Sequence, residues 1–130
     1  MRLLTCVARS SIFALLAGCR SGPVGTEYEI VSVAGTLRGA TGAPIGDGRI
    51  AVAFRDSTCA PASESDYQER PTTSTGSFNV PKVYFVRTAI CARVRGRSLS
   101  MSDSVVVDSV RLGSFHSTLP NRVELELQLP

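Results

Sequence analysis

The sequence predicts an all-β fold, an antiparallel β-sandwich of about six to seven strands. Two observations lead there. Short runs of alternating apolar and polar residues recur along the chain, separated by clusters rich in Gly, Pro and Ser. No long stretch carries the helical period, and no internal repeat is visible. Separately from the fold class, Cys59 and Cys91 stand far apart in the body of the chain, an even pair of the kind that staples small domains in oxidising compartments. At 130 residues there is room for one domain with a single core.

The first strand is expected from Tyr28 to Arg38, where Val31, Val33, Gly35 and Leu37 share a face by period-2 alternation. The run from Gly39 to Gly48 is a dense turn cluster containing Pro44. A second strand follows from Arg49 to Arg55, with Ile50, Val52 and Phe54 on one face and Ala51, Ala53 and Arg55 on the other. Residues 56–74 are polar, contain Pro61 and Pro71, and read as a long loop, either functional or a tolerated surface insertion. Phe78 and Val80 start a third strand that Pro81 is expected to interrupt, after which Val83 to Val86 resume it or form a corner.

The next strand spans Thr88 to Arg95, with Ile90, Ala92 and Val94 inward, Cys91, Arg93 and Arg95 outward, and Gly96 closing it. Another runs from Ser104 to Val110, where Val105, Val107 and Ser109 oppose Val106, Asp108 and Val110. Residues 112–121 read as a loop. The last strand, Val123 to Leu129, alternates cleanly: Val123, Leu125, Leu127 and Leu129 in, Glu124, Glu126 and Gln128 out.

The N-terminus has a different character. Arg2 and Arg9 are the only charged residues of the first eighteen, and an apolar run from Ile12 to Ala17 leads to small residues. That is the pattern of a secretory signal, and the run is far short of the roughly 20 residues of a spanning helix. Leu16-Ala17-Gly18-Cys19 resembles the lipobox of bacterial lipoproteins. The resemblance implies cleavage before Cys19, a thioether-linked lipid on its sulfur and an acyl chain on its amine, enough chains for stable anchoring. The competing reading is an ordinary signal peptide cut near Gly18, with Cys19 a plain thiol. Arg20, rather than the Asp that marks inner-membrane retention in enteric bacteria, points to the outer membrane. The expected organisation is a lipoprotein signal peptide at 1–18, a Gly/Pro/Ser-rich flexible tether at 19–27, and one sandwich domain at 28–130.

Without Arg2 and Arg9 the 14 basic and 11 acidic residues come close to balance, so the pI near 8.9 does not argue for nucleic acid as a partner. Cys6 lies in the signal and Cys19 is assigned to lipid, which leaves Cys59 and Cys91. A disulfide is the first reading and free thiols the alternative; two Cys and one His do not make a closed zinc site.

Val33-Ala34-Gly35-Thr36-Leu37-Arg38, then Thr41-Gly42-Ala43-Pro44-Ile45, then Ile50-Ala51-Val52, and later Thr73-Ser74-Thr75-Gly76-Ser77-Phe78, resemble the carboxypeptidase regulatory-like domain. The resemblance covers about residues 31–129. It implies a transthyretin-like, Ig-like sandwich and no catalytic residue. The segment Pro81 to Arg87 departs from that family's Pro-Gly turn. Related sandwich enzymes do not fit. The hydroxyisourate hydrolase ends in Tyr-Arg-Gly-Ser, and this chain ends Leu127-Gln128-Leu129-Pro130. Intradiol dioxygenases, which use a similar sandwich, hold iron with paired Tyr and His, and His116 is the only histidine here.

A Ser114, His116, Asp108 arrangement can be written down, but nothing in the sequence supports its geometry. The one local concentration of charge is Arg87, Arg93, Arg95 and Arg97. Arg93, Arg95 and Arg97 form a candidate patch for an anionic glycan, lipid headgroup or acidic partner; the alternative is a solvated face with cross-strand partners such as Glu124 or Glu126. Aromatics are sparse and Trp is absent, which weakens a sugar-stacking platform. The expectation is a non-catalytic, lipid-anchored module of the cell envelope for binding, scaffolding or assembly, or alternatively a domain binding carbohydrate or another small ligand. Its partners are the membrane, through Cys19, and an envelope protein or glycan. No cofactor is implied.

Overall fold

Alternation of β-branched and polar residues dictates two pleated layers, and the structure, a computed structural model describing residues 28–85, 88–114 and 118–130, contains them. Seven strands form among the described residues: β1 (Tyr28–Arg38), β2 (Gly48–Asp56), β3 (Tyr67–Pro71), β4 (Ser77–Phe85), β5 (Ala89–Ser98), β6 (Ser104–Gly113) and β7 (Arg122–Gln128). A three-stranded sheet has the order β4-β1-β7 and a four-stranded sheet the order β3-β2-β5-β6. Every pairing is antiparallel except β1 with β7, which is parallel from Ser32–Arg122 to Arg38–Gln128.

Between the sheets lie Val31, Val33 and Leu37 of β1, Ile50 and Val52 of β2, Phe78 and Val80 of β4, and Ile90, Ala92 and Val94 of β5. Val110, Leu112, Leu127 and Leu129 complete the core. These are the inward positions the alternation predicts, with Val110 and Leu112 as exceptions. In straight alternation Val110 faces away from Val105 and Val107. The register between β5 and β6 slips between Ala92–Val110 and Val94–Val107, and Ser109 adopts φ 58°. One extra residue in β6 makes a bulge, turning Val110 and Leu112 into the core and carrying the strand to Gly113 where a loop was expected.

Three other expectations change. The long loop contains a short 3-10 helix (Glu64–Asp66) and then β3, a polar edge strand paired with β2 from Arg49–Pro71 to Ala53–Tyr67. Pro81 does not interrupt β4. It pairs with Ser32, and its carbonyl faces away from β1, accepting a hydrogen bond from Gln68 Nε2 at 3.1 Å. At such a position on an edge strand the missing N–H would also point outward, where the ladder has no use for it. Gly96 does not close β5, which continues to Ser98. A Cβ there would press on Leu37, Ile50 and Leu127 at 3.1–3.3 Å, so the core has no room for a side chain at this point. Gly35 is required for a different reason: at φ 152°, its Cβ would overlap the backbone of Leu125 in β7.

The corner between β3 and β4 is fixed by Thr72, a buried hydroxyl that accepts from Gly48 N–H at 2.9 Å and donates to the Ile45 carbonyl at 2.7 Å. No helix among the described residues is long and apolar enough to cross a membrane.

Candidate functional site

The outer face of the four-stranded sheet carries the arginines. β5 places Arg93, Arg95 and Arg97 at alternate positions, opposite Ala53, Ala51 and Arg49 of β2. The small alanines leave space for the long stems, and both are buried although they point away from the core. The segment between β2 and β3 folds back over this face and supplies Glu64, while Glu69 comes from β3 and Asp108 from β6. Arg95 makes a two-pronged ion pair with Glu64 at 2.9 and 3.1 Å, and its guanidinium stacks 3.7 Å above the Tyr67 ring. The Arg95 hydrogen bonds and charge hold the Glu64 carboxyl below its ordinary range, and Glu64 in turn raises Arg95. Arg93 pairs with Asp108 at 2.8 Å, and Arg97 with Glu69 at 3.6 Å.

Arg55 anchors the same segment from beneath. Its side chain is only 8% exposed. Nη1 donates to the Cys59 carbonyl at 3.3 Å and to that of Ala60, and Nη2 reaches Asp108 at 3.5 Å. Cys59 and Cys91 form the expected disulfide, with Cα atoms 5.2 Å apart, tying this segment to β5. Arg111 donates to the Ser57 carbonyl at 3.1 Å. Residues 57–66 are thus a pinned cover over the sheet.

A groove of about 360 Å³ remains, lined by Arg49, Glu64, Glu69, Arg95, Arg97 and Val106 among others. The structure therefore brings the three predicted arginines together but commits each to a carboxylate. The partners are Asp108, Glu64 and Glu69, not Glu124 or Glu126. Those two lie on β7 in the other sheet, where Glu124 pairs with Arg122 and Glu126 with Arg38 and the Thr36 hydroxyl. Thr36 and Arg38 hold the Glu126 carboxyl below its ordinary range. Arg49, which sequence reasoning passed over, has no carboxylate within 4 Å among the described residues.

The residues of the triad reading are occupied elsewhere. Ser114 is buried; its hydroxyl donates to the Phe85 carbonyl at 2.6 Å and accepts from Thr88 N–H at 2.7 Å. Asp108 is shared by Arg55 and Arg93. His116, Arg87 and Cys19 lie outside the described residues, as do the signal and tether. Among the described residues no group of three or more His, Cys, Asp or Glu is placed to hold a metal ion.

Among the described residues these features define a seven-stranded β-sandwich with an ion-paired, disulfide-pinned face. No family model matches the sequence, and no curated protein matches it. Among solved structures the chain is similar to catechol 1,2-dioxygenase from Acinetobacter sp. ADP1, in a structure inhibited by bound mercury, at 11% identity and a TM-score of 0.46. The match covers 84% of this chain and 54% of the enzyme, so the chain spans about half that enzyme's length.

Proposed function

We propose that the protein is a lipid-anchored, non-catalytic β-sandwich of the bacterial cell envelope, a module for binding, scaffolding or assembly of the carboxypeptidase regulatory-like type. The observation that carries this reading is the succession of Leu16-Ala17-Gly18-Cys19, a short Gly/Pro/Ser-rich tether, and a folded domain starting at Tyr28. The Cys59–Cys91 disulfide supports an oxidising compartment. The occupied hydroxyl of Ser114 and the doubly paired Asp108 favour a structural role for both. Presentation of an edge strand or of the loops is the physical route to a partner, and Pro71 and Pro81 make β3 and β4 poor edges for strand addition. The outer membrane is the proposed location, on the strength of Arg20.

Intact mass of the membrane-extracted protein tests the anchor. The expected result is a chain starting at Cys19 with added acyl mass, gaining two protons on reduction. A chain without acyl mass overturns it.

A second reading is binding of an anionic glycan or small molecule in the groove, and Arg49 is the observation that favours it, an uncommitted guanidinium beside the loosely paired Arg97. Saturable binding of a sulfated or uronic-acid oligosaccharide that Arg49→Ala abolishes supports this reading; binding unchanged in that variant removes it.

A further inference from the structure

The other outer face has an unpaired apolar end. Tyr28, Ile30, Val83 and Phe85 are 62%, 60%, 56% and 52% exposed. They stand in register across β1 and β4, Tyr28 opposite Phe85 and Ile30 opposite Val83, so all four project from the same side of the three-stranded sheet. The rings of Tyr28 and Phe85 touch, with centroids 4.8 Å apart. Pro81 extends the patch and Lys82 lies at its rim, with Ile30, Val83 and Gln68 around them. Glu29, the nearest acid on β1, holds the Asn121 amide at 2.7 Å. Four exposed apolar side chains side by side, two of them aromatic, are unlike the scattered exposure of an ordinary surface.

We propose that this end of the sheet rests on the lipid bilayer into which Cys19 is anchored. The proposal builds on the lipid-anchor reading and adds an orientation to it. A bilayer, rather than a protein, is favoured by where the chain enters the sheet. The patch begins at Tyr28, the first residue of β1, directly after the tether. At full extension, roughly 3.5 Å per residue, the segment from Cys19 to Tyr28 reaches about 30 Å, and as a flexible coil it averages about 17 Å. The apolar patch is thus held permanently within reach of the surface, at an effective concentration of about millimolar order.

The chemistry suits that surface. Tyr and Phe rings sit at the boundary of headgroups and acyl chains, and Lys82 can meet anionic headgroups. The remaining exposed apolar residues, Leu99, Met101 and Val106, do not compete, Val106 lying in the groove of the ion-paired face. Leu99 and Met101 lie in the β5–β6 turn, and Leu99 N–H bonds the Asp47 carbonyl at the far end of the sandwich, about 30 Å from Tyr28 at the rise of an extended strand. The ion-paired face of the other sheet would have to give up its water to face lipid.

The chain has no Trp, so a single introduced indole reports its own position. The full-length lipoprotein carrying Phe85→Trp, or Ile30→Trp as a second reporter, is incorporated into phosphatidylethanolamine/phosphatidylglycerol vesicles with brominated acyl chains. Leu99→Trp is the control at the far end. Burial of the indole at the headgroup boundary predicts a blue-shifted emission and roughly a twofold quenching at positions 85 and 30, with little at 99. Equal quenching at all three positions, or none at 85 and 30, overturns the proposal. The two readings fail separately. Protein without acyl mass overturns the anchor and this proposal with it. Acylated, vesicle-bound protein whose indoles at 85 and 30 are unquenched overturns this proposal alone and leaves the patch to a protein partner.

Discussion

The two outer faces of the sandwich solve the problem of meeting water in opposite ways. On the four-stranded sheet Arg93, Arg95 and Arg97 are met by Asp108, Glu64 and Glu69, and a disulfide holds the covering segment in place. On the three-stranded sheet the stretch from Arg122, beside Ser32, to Arg38 is likewise ion-paired, while the end at Tyr28 and Phe85 is left apolar and bare. A charged face that supplies its own counter-ions has little left for a partner, except at Arg49. An exposed apolar end has made no such commitment. The arginine row stands out in the sequence yet is already partnered, whereas the apolar patch, inconspicuous in the sequence, is the surface left bare.

The largest expected effect tests the covered face. Replacing Cys59 and Cys91 together by Ala releases a closed loop with a sequence separation of 32, and the chain-entropy model assigns it roughly 3–4 kcal/mol. Denaturant unfolding of the wild type and the double variant measures it. A loss under about 1 kcal/mol would mean that Arg55 and the ion pairs hold the cover without the bond. Next comes Thr72→Val, which keeps the shape but leaves the Gly48 N–H and the Ile45 carbonyl without their partner. The expected loss is about 1–3 kcal/mol by the same measurement. A neutral result would show that the corner between the sheets does not depend on this hydroxyl.

How far the sequence foretold this structure depends on whether the information was local. Period-2 alternation is local, and it located β1, β2 and β7 within a residue or two and chose their inward faces. β3 was missed because Tyr67-Gln68-Glu69-Arg70-Pro71 is an edge strand, polar on both phases, and reads as loop. Pro81 and Gly96 were read as breakers because composition cannot tell an edge from a centre, or a packing glycine from a turn. The bulge at Ser109 defeats any alternation rule, since one added residue exchanges the two faces. The arginine partners were misjudged because cross-strand neighbours follow from strand order, which was not yet known. The apolar patch had a faint signal: Val83-Tyr84-Phe85 is apolar in both phases, and so is Ile30-Val31, a doubling that a one-sided strand does not need.

A smaller effect tests the ion-paired face by pH. Glu64 has its folded pKa depressed from 4.5 by the hydrogen bonds and charge of Arg95. A depressed carboxylate stabilises the fold above its unfolded pKa and loses that contribution as pH falls through the folded value. The stability difference between wild type and Arg95→Ala should therefore be present at neutral pH, shrink below about pH 4.5 and weaken with added salt. Arg95→Lys should recover only part of it, since an ammonium lacks the flat fork that meets Glu64 and covers Tyr67. Unfolding curves across acid pH decide this; a difference that stays constant as pH falls from neutral through the acid range would assign it to packing of the arginine stem rather than to its charge.

The smallest effect is the most telling for the bare face. Ile30→Thr and Val83→Thr keep the β-branched shape and remove apolar surface that the folded domain leaves in water. Each should change stability by no more than about 0.5 kcal/mol. Val33→Thr, one strand position inside the core, places an unpartnered hydroxyl among buried apolar side chains and should cost several times more. If Ile30→Thr or Val83→Thr matched Val33→Thr in an unfolding titration, the patch would be part of the core in solution and the contrast between the faces would fall. If they are silent, folding does not require those side chains to be apolar, and their apolar character has to be explained by something outside the domain.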